Sequence, residues 1–434
     1  MTAEVVPDIV ARRHDPVHDC ARVAVTHTSP ERARSVESAR AGQPRVDKLS
    51  LLLSRAGTNC EIDLPDGQTL RFGSAPPAFR VIYRTEDAMR LPLTEYALGS
   101  AYVEGKIDVE GDMRALLDIR EHLAFGTTLA QKLRFAYELL LKAPTKSNRE
   151  AIHRHYTLGD DFYLKFIDTR FRFYSHCIFE SSDETLEAAA EHKLERMWNA
   201  LGLRPGMRLL DIGGGWGGVP EYCGARGVHV TSVTLVEDSA NYIRRLIAEQ
   251  QLPAEVVVSD FLDYQPEVPF DHAVIYGVIE HIPNYARFSA RAWDALKPGG
   301  RLYLDASAAK EKFAISPFTR RFTWPGHHSF LALQDIVREL LYHGFEIVDV
   351  KRETHDYELT ITHWAERFDA ARGEIVERWG EDVYRAFRVF LWGGAHAFKT
   401  NRLQAYHVVS ERRSDPGPRP GIARRVAGFI GSLA

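Results

Sequence analysis

At 434 residues, with 45% apolar and 26% charged side chains, the chain has the make-up of a soluble globular protein with room for two domains. A net charge of −4 excludes a nucleic-acid binder working by bulk electrostatics. Cys20, Cys60, Cys177 and Cys223 form no CxxC or paired spacing, which argues against a disulfide scaffold or a zinc site and fits a reducing cytoplasm. No apolar run reaches the roughly 18 residues of a membrane-crossing helix. The N-terminus also lacks the apolar core of a signal peptide. The expected setting is cytoplasmic, with no metal.

In chain order, residues 1–47 are rich in Arg, His, Ser and Pro without apolar periodicity, and read as a disordered basic arm. Residues 48–135 read as a small α+β unit. CEIDLPDGQTLRFG (60–73) has the pattern of a hairpin turning at Pro-Asp-Gly, and AFRVIYRT (78–85) adds an alternating strand. LGSAYVEGKIDVEGD (98–112) follows, with three glycines among small apolar clusters. A basic stretch from Lys132 to Lys146 leads into a linker helix over 136–152. Residues 153–411 form the catalytic unit. Its predicted strands are MRLLDIG, VHVTSVTL, EVVVSD, FDHAVIYG, GRLYLDA, FEIVDVKRE and YHVVSER, most of them separated by helical segments. That alternation predicts a doubly wound α/β sheet. Residues 412–434 open on a Pro/Gly linker and end in a short apolar segment.

The most informative stretch is LLDIGGGWGG, residues 209–218. An apolar strand ending in Asp211 feeds five glycines within six positions, where backbone can approach a ligand that a Cβ would block. The next strand begins about twenty residues on, the span of a βαβ crossover. No GxxxxGK[ST] is present, which argues against a P-loop. The stretch resembles the nucleotide loop of class I S-adenosylmethionine (SAM) methyltransferases. HRHYTLGDDFY (153–163), FYSHCIF (173–179), VTLVEDS, VSDFLD, VIEHIPN, LKPGG and YELTITHWAERF follow in an order that resembles the cyclopropane-fatty-acid synthase and mycolic acid methyltransferase family. LGSAYVEGKIDVEGD is similar to the small N-terminal domain of that family's phospholipid-acting members. The resemblance covers roughly residues 50–411.

It implies a Rossmann-like SAM-dependent C-methyltransferase acting on the double bond of an unsaturated acyl lipid, peripheral at a membrane surface, with a homodimer possible. A related enzyme giving a methyl-branched or methylene lipid, or methylating a secondary metabolite, is the alternative. A lipid-binding protein with vestigial SAM affinity is a third reading. For the cofactor, the resemblance implies Asp211, Gly213, Gly215 and Gly217 in the turn, Tyr156 and Ser175 closing over it, and Thr234 after the second strand. Ser239 stands where the family usually has Gln. Asp260 would accept from the adenine amino group, with Phe261 packing on the base. Glu237 or Asp238 could hold the ribose diol or cap the following helix. In the family a bound bicarbonate takes the proton, held by a Cys, a Glu, a His, an Ile backbone and a Tyr. Here Glu280 and Tyr357 match. The Cys position is His176, the His position is Asp305 and the Ile position is Ser307. Two carboxylates around one small site disfavour a third anion. The expectation is therefore that Asp305, Glu280 or His176 takes the proton directly; the competing reading pairs His176 with Asp305. His281 reads as a capping or core histidine, TWPGHHSF (323–330) as a turn or channel lining, and Trp364, Trp392 and Phe398 as core or tunnel wall.

Overall fold

The computed structural model describes residues 44–123, 158–324 and 328–415. The basic arm before residue 44, the linker helix, the Lys132–Lys146 stretch, Tyr156, His327 and the tail beyond 415 lie outside the described residues. Two compact units divide between Leu51 and Leu52. All that follows concerns the second.

The apolar alternation near residue 60 produces a small sheet. Strands β1 (Cys60–Asp63) and β2 (Thr69–Phe72) pair antiparallel. They are joined by a turn in which Gly67, at φ 84°, donates to Leu64 O. β3 (Phe79–Tyr83) runs parallel to β1, and β4 (Ile107–Gly111) antiparallel to β3, giving the order β2-β1-β3-β4. The segment 98–112 thus divides between the end of helix Glu95–Val103, capped by Thr94, and β4. This layer is tied to helix Glu381–Lys399. Arg385 donates to Tyr102 O at 2.9 Å, and Arg388 to the Tyr102 hydroxyl at 3.1 Å.

The seven strands expected between 207 and 412 all form: β5 (Arg208–Ile212), β6 (His229–Thr234), β7 (Ala254–Val258), β8 (Phe270–Tyr276), β9 (Leu296–Ala308), β10 (Phe345–Arg352) and β11 (Gln404–Arg412). Their order is β10-β11-β9-β8-β5-β6-β7, and only β11 runs antiparallel to its neighbours. Side chains alternate between two cores. Leu209, Val230, Val274, Tyr303 and Val409 face one; Leu210, Val233, Ile275, Leu304 and Val408 face the other. Apolar residues on both faces require cover on both, and helices supply it. Trp364, Trp392 and Phe398 are buried in the first core. The connection order reverses beside β5, which lies between β6 and β8. In open α/β sheets such a reversal leaves a crevice at the strands' carboxyl ends, where ligands bind. Among the described residues no helix is long and apolar enough to cross a membrane.

Candidate active site

At that crevice the glycine loop forms one wall of a cavity of about 630 Å³. Gly213, Gly214 and Gly215 follow β5 with φ of 117°, 63° and 53°. A Cβ on Gly213 would lie 2.4 Å from Val278 Cγ2, whereas one on Gly215 would meet no atom within 4 Å. Gly213 is therefore required by packing against the neighbouring strand end, and Gly215 presents bare backbone to open space. Ser239 Oγ donates to Gly215 O at 2.5 Å and pins this turn. Its shorter side chain is thus spent on the loop itself. Thr234, Asp260 and Phe261 also line the cavity. The Asp260 carboxylate accepts from Leu262 N at 2.9 Å, and the Phe261 ring packs 5.6 Å from Phe288. Of the two acidic residues at 237 and 238, Asp238 lines the cavity and Glu237 pairs with Arg244.

Other expected residues support the cavity from behind. Asp211 is buried and accepts from Ser232 Oγ at 2.7 Å; burial pushes its carboxyl up to about 7. Gly217 caps helix Gly218–Gly224. The Ser175 Cβ lies 3.0 Å from where a Cβ on Gly277, a cavity residue, would be. Three further cavity residues, Trp216, Asp160 and His281, have no cofactor role in the sequence reading. Trp216 donates to Asp160 at 2.8 Å, and both line the cavity. Asp160 sits in the HRHYTLGDDFY motif, so that motif was the available signal. His281 lines the cavity as well, packed 5.1 Å from Trp324 and 5.4 Å from His328, and burial pulls its pKa down to about 4.

Gly277 joins the cavity to a second, drier cluster. Its backbone N–H donates to Asp305 Oδ1 at 3.1 Å. Asp305 Oδ2 meets Lys193 Nζ at 2.7 Å, both side chains essentially fully buried. Lys193 also donates to Ser175 Oγ and to His176 O, each at 2.7 Å, and lies 4.1 Å from the Tyr276 ring centre. Its three N–H groups are thereby all used. Lys193 had no sequence signal, being one lysine in an amphipathic helix, Leu186–Leu201. Glu280 Oε1 accepts from Ser307 N at 2.9 Å and Ser307 Oγ at 2.8 Å, while its Oε2 is buried with no hydrogen-bond partner. Burial, reinforced by the Asp305 charge, pushes Glu280 up to about 7. Tyr357 lies in the same field, its hydroxyl in reach of the Ser307 side chain; burial and these two carboxylates raise its pKa. His176 stacks on Tyr357 at 5.0 Å, and Tyr357 on Phe398 at 4.3 Å. The His176 ring pairs with Glu353 at 2.8 Å rather than with Asp305, whose partner is Lys193.

These donors do not fit bicarbonate. The Ser307 N–H goes to Glu280, every Lys193 N–H is occupied, and Asp305 adds a negative charge. The cavity does fit SAM: a bare-backbone turn at Gly215, carboxylates at Asp238 and Asp260 for hydroxyl and amino donors, and Phe261 for the base.

Residues 143–408 match the family described as mycolic acid cyclopropane synthetase. The chain belongs to this family. The cyclopropane-fatty-acyl-phospholipid synthase of Escherichia coli K12 is 29% identical over 382 residues, 85% of this chain and 94% of its own length. Among solved structures, the cyclopropane synthase MmaA2 of Mycobacterium tuberculosis aligns with TM-score 0.56 and 27% identity, over 61% of this chain and 98% of that one. The mycolic acid cyclopropane synthase CmaA1, complexed with SAH and CTAB, gives TM-score 0.56, 25% identity and the same coverage. This member of the cyclopropane synthetase family is a class I SAM-dependent C-methyltransferase.

Proposed function

We propose that the enzyme adds one carbon to the double bond of an unsaturated acyl chain, carried on a phospholipid at a membrane surface. The observation that carries this reading is the adjacency of the glycine-walled cavity to a dry, charge-paired and aromatic cluster at Gly277. An alkene is a poor nucleophile, and such chemistry needs proximity and exclusion of water more than an activated side chain. SAM, when bound, supplies an electron-poor methyl group to the alkene. Gly213, Gly215, Thr234, Asp238, Asp260 and Phe261, which line the cavity, would hold it. The alkene carbon left electron-deficient is stabilised by aromatic faces such as Tyr357 and Phe398, and by the buried Glu280 carboxylate. A protein group then removes a proton. Asp305 is committed to Lys193 and Gly277, which leaves Glu280 Oε2 and His176 Nδ1, both buried and without a hydrogen-bond partner. Proton loss from the added methyl closes a cyclopropane; loss from a neighbouring carbon gives a methylene or methyl-branched alkene. The carboxylate at 305, in place of the family's histidine, favours keeping the second outcome as the alternative.

The test is expression in a bacterium lacking its own cyclopropane synthase, with fatty acids analysed by gas chromatography–mass spectrometry. A fatty acid heavier by one CH₂ is expected. Mild hydrogenation then separates the products, since the ring survives and the alkene takes up hydrogen. Absence of any heavier fatty acid, with SAM still bound by the purified protein, overturns the acyl-lipid reading.

A further inference from the structure

Glu353, just before helix Thr354–Ala370, is buried together with every group it touches except one arginine. Its backbone N–H is fixed to Ala405 O of β11 at 2.8 Å. Oε1 receives His407 Nδ1 at 2.6 Å and Arg196 Nη1 at 2.9 Å, and Oε2 meets His176 Nε2 at 2.8 Å. His407 lies between two carboxylates, because its Nε2 is 3.0 Å from Asp349 Oδ2. Each of its nitrogens must present an N–H, so His407 is a cation. Burial opposes that charge, but the carboxylates outweigh it and raise the His407 pKa. Glu353 in turn stays ionised: hydrogen bonds from His176 and His407 overcome its burial and hold it far below the usual carboxylate range. An ionised oxygen at Oε2 accepts and cannot donate. The Nε2 of His176 therefore presents an N–H to Glu353, and in the neutral ring the lone pair falls on the buried, unpartnered Nδ1.

We propose that Glu353 is a positioning residue that makes His176 Nδ1 the proton acceptor of this site. A carboxylate behind an imidazole, fixing its tautomer and stabilising the imidazolium it becomes, is the arrangement that turns histidine into a base in hydrolases. Here the substrate C–H bond breaks and its electron pair stays on carbon, closing the ring or forming the double bond. The proton goes to His176 Nδ1 and is passed to water between turnovers. The tautomer rests on the hydrogen bonds around Glu353 and its ionised state; the identity of the proton rests on the acyl-methylation reading.

The two are tested separately. Protein labelled with ¹⁵N-histidine, without ligand, is compared with Glu353→Gln, and His176→Ala assigns the resonances. The neutral form of His176 in the parent should carry its proton on Nε2, and the Gln variant should move that proton to Nδ1 or mix the tautomers. A parent His176 protonated on Nδ1, or a tautomer unchanged in Glu353→Gln, overturns the proposal. Turnover is then followed with SAM and vesicles of dioleoyl phosphatidylglycerol. Glu353→Gln should lower kcat about 100-fold or more, with KM for SAM within twofold. A kcat within threefold of the parent overturns it. Added imidazole should restore turnover to His176→Ala but not to His176→Ala/Glu353→Gln. If Glu353→Gln fails to fold, the imidazole result with His176→Ala decides: rescue supports the dyad and no rescue overturns it. A parent with the expected tautomer that methylates no lipid sinks the acyl reading and leaves the dyad standing.

Discussion

The cofactor cavity and the cluster beneath Gly277 are neighbours built in opposite ways. The cavity wall is mostly backbone: glycines with positive φ, strand ends and a serine hydroxyl holding a carbonyl. The inner cluster is mostly side chain, with Lys193, Asp305, Glu280, Glu353, His176 and His407 all buried. A backbone-built site tolerates change in its polar decoration as long as the turn survives. A charge-built site does not, because each buried charge depends on a named partner. Substituting in one region at a time should therefore give effects of different size and kind.

The largest effect is expected at Lys193. Lys193→Met strands the Asp305 carboxylate in the interior and should cost about 3–5 kcal/mol in urea unfolding. Lys193→Met/Asp305→Asn should recover most of that loss. If the double variant is no more stable than the single one, the pairing is not what matters. Next comes Glu280→Gln, expected to lower kcat by roughly 10²–10³ through loss of a buried charge beside the developing cation. Because Glu280 protonates at about 7, parent kcat should fall as pH drops through that value, and this limb should vanish in the Gln variant. The stability sign is opposite to that of a paired carboxylate. Below the ordinary 4.5 both states are protonated; above about 7 the folded protein must ionise a buried group at a cost of about 3 kcal/mol. Glu280→Gln should thus raise Tm more at pH 8 than at pH 4, and an equal change at both would contradict this.

Substitutions in the cavity should be milder. Gly213→Ala meets Val278 and a φ of 117°, and should cost about 1–3 kcal/mol together with SAM affinity measured by calorimetry. Gly215→Ala has room, and should lose SAM affinity with little change in Tm. Smallest is Ser239→Ala, which removes one hydrogen bond and should weaken SAM binding by no more than about 0.5–1.5 kcal/mol. A larger loss there would mean that the hydroxyl meets the cofactor directly.

The same contrast explains what could be read before any coordinates. The seven strands and the glycine turn were legible because alternating apolar runs and clustered glycines are local signals. Gly213, Gly215, Thr234, Ser239, Asp260 and Phe261 follow from the family resemblance, with Asp260 and Phe261 also placed just after a strand end, and all line the cavity. Glu280 and Tyr357 were found through motifs, and they do lie together. Lys193 and Glu353 carry no such signal, although they are the partners of Asp305 and His176. Their partners lie 112 and 177 positions away (305 − 193 and 353 − 176), and a lysine or glutamate in a polar helical context looks like a solvated surface residue. The His176–Asp305 pair that the substitutions suggest does not form, because Lys193 occupies Asp305 and His176 faces Glu353.

β11 is the last strand of the large sheet in sequence, yet it lies between β9 and β10. It places His407 directly across from Asp305, and Ala405 O holds the Glu353 backbone. During synthesis, everything up to residue 403 leaves the ribosome before β9 and β10 have the strand that joins them. The nascent chain can shape its glycine turn early, since β5, β6 and β8 are already made. It cannot complete the buried charge network until residues 404–412 emerge. A polypeptide that stalls or is clipped short of that strand is therefore left with exposed sheet edges and an unfinished proton-transfer site. Catalytic competence and escape from edge-to-edge aggregation would arrive together, once residues 404–412 can join β9 to β10.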